Sequence, residues 1–371
     1  MKRLAVSLGE LASWDNLLLA TWKAARGKRS RPQVQAFLAD LDGALARLAA
    51  GILDGAVPVG RYREFLIHDP KLRRIHAACF EDRVLHHAIL NLVGPVFERS
   101  LVDSSYACRP GMGSHAAVLR AQQHLRRHAW FGQVDVAGYF PAINHVTLKG
   151  LLARCFKGGD FLALLGRIID GYEAVPGHGL PIGALTSQHF ANHYLDGADR
   201  LLRTHPAVCA HLRYMDDMLW WCARREDVRE VLAELSAYLA AERGLCLKPA
   251  PEINRSSHGL RFCGYRIKPG TIRLTRRKQR RYRVLRTHWE AAWERGEIDS
   301  PSLQGPTMHC WHPPCWPMHE CGGSTTCVST PVCTTMAKGD RQRQQARAAR
   351  RVVEQQRAEL PFCLPQQQPA R

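Results

Sequence analysis

The chain has 371 residues, 46% of them hydrophobic and 23% charged, which excludes a largely disordered protein and leaves room for one large core or two to three smaller units. Its 52 lysines and arginines against 33 aspartates and glutamates give a net charge of +19, a field that attracts polyanions, nucleic acid ahead of the ribosome or an anionic membrane surface. Glu10 and Asp15 interrupt the apolar start, and no uncharged apolar run reaches the roughly 18 residues that a span requires, so a cytoplasmic protein with no membrane contact is expected.

Residues 11 to 52 read as two helices separated by the basic, turn-prone RGKRSRP, with Pro32 at the first position of the second helix. Along that second helix Val34, Phe37, Leu38, Leu41, Leu45, Leu48 and Ile52 recur at three- and four-residue spacing, an apolar stripe for core packing. FLIHDPKLRRIHAACFEDRVLHHAIL is an extended or hairpin region, dense in base, that feeds a helix beginning near Asp82. In SSYACRPGMGSHAAVLRAQQHLRRH a glycine-rich loop runs into a helix, a shape that presents backbone N–H groups to phosphate, and Arg109 within it reads as a nucleic-acid contact.

WFGQVDVAGYFPAINH reads as a short strand ending at Asp135, with Pro141 blocking its continuation before a helix around Leu148, Leu151 and Leu152. GLPIGALTSQHFANHYLDGADRLL is a Gly/Pro turn leading into a helix that Thr186 or Ser187 is placed to cap. CAHLRYMDDMLWWCA consists of two strand-like runs that meet at Asp216 and Asp217, the pattern of a tight hairpin with acids at its tip. After it, Asp227 reads as an N-cap with Glu230 three residues on, followed by apolar Val228, Val231, Leu232, Leu235 and Leu239 and a stop at Gly244.

From Arg255 to His288 there is no acidic residue, and Arg276, Arg277, Lys278, Arg280 and Arg281 form the densest part of a basic run that includes Tyr282. A solvated helix face mixes signs, so this run fits a phosphate-tracking surface better. Past about residue 300, Cys310, Cys315, Cys321, Cys327 and Cys333 stand among Pro, Gly and Thr without periodicity. Zinc ligation with His309, His312 and His319 lacks a C-x2-C pair, and the stretch reads instead as a disordered tail or as one translated out of frame, ahead of a closing basic segment. The other seven cysteines (Cys79, Cys108, Cys155, Cys209, Cys222, Cys246 and Cys263) stand singly in apolar segments, as reduced core thiols do.

Two like charges side by side in apolar surroundings are costly unless cations compensate them, and hard carboxylate oxygens without soft ligands select Mg²⁺, with Mn²⁺ the alternative. On its own the Asp216-Asp217 pair fits an ordinary surface turn better. Asp135 shifts the balance, because carboxylates from two strands can hold two divalent ions about 4 Å apart, the requirement for in-line phosphoryl or nucleotidyl transfer. In a chain this basic, the substrate implied is a nucleic-acid polymer.

These residues resemble, in order from about Leu11 to Ile267, the reverse transcriptases. YMDD at 214 to 217 is similar to that family's acidic box, DVAGYF at 135 to 140 to its first metal box, GLPIGALTSQ at 179 to 188 to its nucleotide box, and GLRFCGYRI at 259 to 267 to the hairpin that grips the primer. DPKLRRIHAACFEDRVLHHA and SSYACRPGMGSHAA resemble fingers segments of bacterial retroelement enzymes. The resemblance implies an α+β right-hand polymerase fold: N-terminal helices and fingers over 1–134, a palm with an antiparallel sheet and part of the fingers over 135–268, and a short basic thumb over 269–300. An irregular, then basic tail over 301–371 would follow.

By position, the resemblance makes Asp135, Asp216 and Asp217 catalytic and, with the Val136 carbonyl, ligands of two Mg²⁺ ions. Phe140 would block a ribose 2′-OH, Lys71 and Arg73 would meet the incoming triphosphate, and Ile182, Gly183 and Gln188 would border the nucleotide. Gly264 and Tyr265 would face the primer. Two departures stand out: Ile182 and Gln188 replace the family's usual Gln and Pro, a variant that resembles the error-prone enzymes of diversity-generating retroelements, and Pro251 lies near where relatives carry a lysine, with Lys248 the nearest substitute.

The activity implied is RNA-directed DNA synthesis. Its partners would be an RNA template, a DNA or RNA primer, deoxynucleoside triphosphates and a small basic helical accessory protein. The rival readings are a phage-defence or retron-like enzyme of the same family and a non-catalytic RNA-binding scaffold derived from the fold.

Overall fold

The computed structural model describes residues 2–68 and 72–297. Lys71, the end of the expected thumb and the Cys-rich tail with its zinc and frame readings lie outside the described residues.

A two-residue strand β1 (Leu4–Ala5) precedes helices α1 (Leu8–Leu11), α2 (Trp14–Ala25), α3 (Pro32–Ala39) and α4 (Leu41–Leu53). Antiparallel β2 (Tyr62–His68) and β3 (Leu72–Ala78) lead into the long α5 (Phe80–Ser100), then α6 (Ser114–Arg127), β4 (Trp130–Asp135), α7 (Tyr139–Ala142) and α8 (His145–Cys155). There follow β5 (Phe156–Lys157), α9 (Gly159–Asp170), α10 (Leu185–Tyr194), α11 (Asp196–Thr204), β6 (Ala210–Tyr214), β7 (Asp217–Cys222) and α12 (Arg225–Arg243). The last elements are β8 (Glu252–Arg255), β9 (Leu260–Phe262), β10 (Tyr265–Ile267), β11 (Ile272–Leu274) and α13 (Arg276–Glu294).

The central sheet has the strand order β6-β7-β4-β8, antiparallel throughout, and a separate three-stranded sheet runs β11-β10-β9. Side chains alternate across a strand, so β7 divides its apolar run between two cores. Met218, Trp220 and Cys222 join the cluster that holds α5, α8, α10 and α12, whereas Leu219 and Trp221 join the one that holds α6 and β9–β10. Burial on both faces is why MLWWC reads as a continuous apolar stretch and not as an alternation. The Trp220 ring packs against β4 at Gly132, where an added Cβ would come within 2.3 Å of it; only glycine admits that indole.

Several local expectations differ from the structure. The stripe from Val34 to Ile52 is divided between α3 and α4 at Asp40, whose backbone leaves the helical region (φ −124°, ψ 57°) and whose carboxylate pairs with Arg47. Its apolar positions still bury Val34, Phe37, Leu45, Leu48 and Ile52. Helix α12 begins at Arg225 with Arg224 as N-cap, and Asp227 sits inside the first turn, where it pairs with Arg224 at 2.6 Å and meets the positive end of the helix dipole. Its stop at left-handed Gly244 is as expected (φ 62°). Thr186 and Ser187 do not cap α10; the N-cap is Ala184 and both hydroxyl residues are buried within the helix. Of the seven scattered cysteines only Cys155 and Cys222 are buried, all seven being free thiols; Cys108, Cys209 and Cys246 are exposed. Among the described residues no helix is long and apolar enough to cross a membrane.

Candidate active site

Strand register brings the three acids together. β4 ends at Asp135, β7 begins at Asp217, and the two are directly opposite partners, with Asp216 in the turn between β6 and β7. The Val136 amide donates to the Asp216 carbonyl at 3.3 Å and closes this corner of the sheet. Like charges across a strand pair repel, and burial removes the water that would screen them. Burial first, then the charges of Asp135 and Asp216, push the Asp217 carboxyl up to about 7, against a lowering hydrogen bond from Gln133. Asp216 is raised as well, by burial and then by Asp135 beside it.

Lys248 places its ammonium on Asp135 Oδ1, and its own amide donates to the Asp135 carbonyl at 2.8 Å. Gln133 Nε2 donates to Asp217 Oδ1 at 2.9 Å and to the Arg261 carbonyl at 3.1 Å, so the third carboxylate is tied toward β9. With Asp135 facing Lys248 and Asp217 facing Gln133, no three His, Cys, Asp or Glu side chains among the described residues already converge as a ligand set. The donor chemistry nevertheless fits a hard divalent cation: oxygen donors only, two of the three carboxyls raised by burial and mutual repulsion, and one ammonium to balance them.

The residues expected to border the nucleotide stand on α7, on β3, in the loop before α10 and on α10. Left-handed Gly138 (φ 53°) turns the chain from β4 into α7, where the half-buried Phe140 ring stands edge-on to Tyr139 and the Phe140 carbonyl accepts from the Leu180 amide at 2.9 Å. The Ile182 carbonyl accepts from the His76 amide at 2.9 Å, and a Cβ on Gly183 (φ 120°) would meet the His76 carbonyl at 3.0 Å. That close approach docks the nucleotide-box loop on β3. Arg73, exposed on β3, has no carboxylate partner among the described residues, whereas its neighbour Arg74 pairs with Glu64. Gln188 on α10 accepts from the Cys108 thiol at 3.4 Å.

Other expected contacts are placed differently. Arg109 is not available to nucleic acid: its guanidinium is buried, paired with Glu98 at 2.8 Å and donating to the Val102 and Ser105 carbonyls, so it shapes the loop it stands in. Tyr265 is buried in the core with Lys278 stacked 4.2 Å over its ring, and Lys278 also donates to the Cys263 carbonyl at 3.1 Å. Those two join α13 to the β9–β10 hairpin, where Gly264 takes φ 79° with the Lys278 stem against it. Arg276, Arg277, Arg280 and Arg281 are exposed on α13, spaced to share one side. Gln133 was not singled out from the sequence, although period-two alternation puts it on the same face of β4 as Asp135.

Residues 68–267, more than half of the chain, match the family model described as reverse transcriptase (RNA-dependent DNA polymerase). The group II intron-encoded protein LtrA of Lactococcus lactis subsp. cremoris is 28% identical over 151 residues, 39% of this chain and 25% of that protein. The protein YkfC of Escherichia coli (strain K12) is 27% identical over 143 residues, 36% of this chain and 38% of that one. The chain thus spans between a quarter and two fifths of these relatives' lengths. Among solved structures, apo telomerase from Candida tropicalis aligns with a TM-score of 0.45 at 12% identity, over 63% of this chain and 53% of that one.

Proposed function

The chain belongs to the reverse transcriptase family and has its right-hand polymerase fold, and from that premise we propose that it synthesises DNA on an RNA template as the error-prone enzyme of a diversity-generating retroelement. The observation that carries the catalytic part is the register of the central sheet, which sets Asp135 against Asp217 and holds Asp216 at the adjoining turn. Asp135, Asp216 and Asp217, with the Val136 carbonyl, would hold two Mg²⁺ ions, with Mn²⁺ the substitute. The chemistry so supplied would be a lowered pKa for the primer 3′-OH and neutralisation of the leaving pyrophosphate. Lys248 balances the carboxylate charge and keeps the cluster compact. Phe140 shapes the floor where the sugar lies, and Arg73 offers an exposed guanidinium to the triphosphate. Catalysis then rests on positioning and electrostatics more than on proton transfer by side chains.

The retroelement reading rests on Ile182 and Gln188. Ile182 holds its loop on β3 through its backbone, and its side chain has no hydrogen-bonding group with which to test the geometry of an incoming base pair. The exposed arginines of α13 supply a phosphate-tracking surface for template and primer, and a small basic helical protein would assist.

Primer extension on an RNA template with Mg²⁺ and four deoxynucleotides, comparing wild type with Asp216→Ala, tests the whole. Aspartate-dependent cDNA with errors concentrated at template adenines is the expected result. Accurate or untemplated product moves the protein to another branch of the family, and RNA binding without any product favours a scaffold.

A further inference from the structure

The carboxylates explain what the turn between β6 and β7 carries but not what holds it in place. At its tip Met215 has φ 57°, a left-handed conformation costly for a residue with a side chain and sustained only where surrounding contacts impose it. Two residues earlier, Arg213 is 0% exposed, as is its partner Asp199. Arg213 Nε donates to both Asp199 oxygens at 2.9 Å. Its Nη1 donates to Asn192 Oδ1 and to the Met215 carbonyl, each at 3.0 Å, and its Nη2 to the Asn192 carbonyl at 3.0 Å and to Asp199 Oδ2 at 2.7 Å. Every N–H of the guanidinium therefore has an acceptor. On the backbone, the Arg213 amide donates to the Ser104 carbonyl at 2.8 Å and its carbonyl accepts from the Tyr106 amide at 2.9 Å, while Asn192 Nδ2 donates to the Ala107 carbonyl.

The Arg213 guanidinium thus ties the acidic turn to the end of α10 and to α11, while its backbone and the Asn192 side chain tie the same place to the segment from Ser104 to Ala107. Stability alone is a poor reason for it, because a buried ion pair is commonly no better than apolar residues of the same volume. What apolar residues cannot supply is a planar fork that reaches a carboxylate, an amide and a turn carbonyl at once; nor can lysine.

We propose that Arg213 is the positioning residue of the acidic turn: by fixing the Met215 carbonyl against Asp199 and Asn192, it sets where the Asp216 carboxylate stands relative to Asp135. Arg213 touches no reacting atom and acts through the turn. The inference rests on the polymerase reading for its consequence in rate, and on the hydrogen bonds alone for the anchor.

Two variants and one measurement on the wild type test it. Arg213→Lys keeps a charge beside Asp199 but loses the fork; Arg213→Met combined with Asp199→Leu removes both charges. Thermal melting and RNA binding establish that each is folded. Turnover is expected to fall about 100-fold with the KM for deoxynucleotide changed less than about threefold, since a misplacement of about 1 Å costs on that order. A folded Arg213→Lys enzyme within about threefold of wild-type turnover would overturn the proposal. Independently, hydrogen exchange of the wild type is expected to protect the segment from Tyr214 to Trp220 as strongly as β4. Exchange typical of an exposed loop there overturns the anchor whatever the variants do. If the wild type makes no cDNA, the polymerase reading falls and the exchange measurement still decides the anchor.

Discussion

Strand β7 and helix α13 hold their charged residues on opposite terms. All β7 residues after Asp217 are buried, locked between two cores and paired on both sides by β6 and β4. The nineteen residues of α13 bury only Ala292, and the helix is fastened near its start by Lys278 on the β9–β10 hairpin. A one-residue slip in β7 would send Asp217 to the other face of the sheet. The arginines of α13 need no such accuracy, because attraction to a polyanion extends about 8 Å at physiological salt and does not depend on a single geometry. The carboxylates proposed to hold two ions are placed by a sheet paired on both sides, and the cations proposed to follow a nucleic-acid backbone stand on an exposed helix.

Substitutions should separate the two regions. The largest effect is expected for Asp216→Asn, which keeps shape and removes a charge: primer extension should fall by about 10³-fold or more while RNA binding persists, and residual activity near the wild-type level would show that the turn carries no metal-ligating acid.

Next is the core behind the sheet. Burial depresses the His86 imidazole to about 4. Above about pH 6.5 it is neutral both folded and unfolded, so nothing is lost there; as pH falls from about 6.5 to about 4 the unfolded chain takes up the proton first, and stability drops by roughly 3 kcal/mol. Denaturant melts across that range should show the slope, and His86→Leu should make it shallower by that amount.

Gly132→Ala comes third, with an expected cost of about 2 kcal/mol as the new methyl displaces Trp220, read as a lower denaturant midpoint at unchanged m-value. The smallest effect on stability belongs to Arg276→Ala combined with Arg280→Ala, within about 0.5 kcal/mol of wild type. That pair should instead weaken RNA binding across sequences and lower the slope of log affinity against log salt by about one for each phosphate that is no longer neutralised. A destabilised α13 variant with an unchanged salt slope would erase the contrast between the regions.

The legible parts of the sequence were those whose signal is local. The strand before Asp135, the hairpin around Asp216 and the stop at Gly244 come from neighbours within a few residues. Where the signal depended on a distant partner, reading failed or stayed silent. Asp227 is a local exception: its partner Arg224 is three residues away, and a capping pattern does not tell an N-cap from a first-turn acid paired with its neighbour. Arg109 looked like a phosphate contact because Glu98 and two carbonyls that use its guanidinium are brought to it by the fold. Arg213 drew no notice, since an arginine in a strand reads the same whether its end reaches solvent or a buried aspartate.

From the sequence by itself follow the three acids and their strand ends, the surplus of positive charge and the order of boxes that marks the family, because residue type, alternation and turn chemistry are properties of short stretches. Only the tertiary structure decided which cations are engaged. It set Lys248 on Asp135, 113 positions away, Lys278 on Tyr265 and Arg213 on Asp199, and left Arg73 exposed without a carboxylate among the described residues. The physical reason is that pairing and burial of charge are settled by whatever the fold places within a few ångströms, and that distance is not written along the chain.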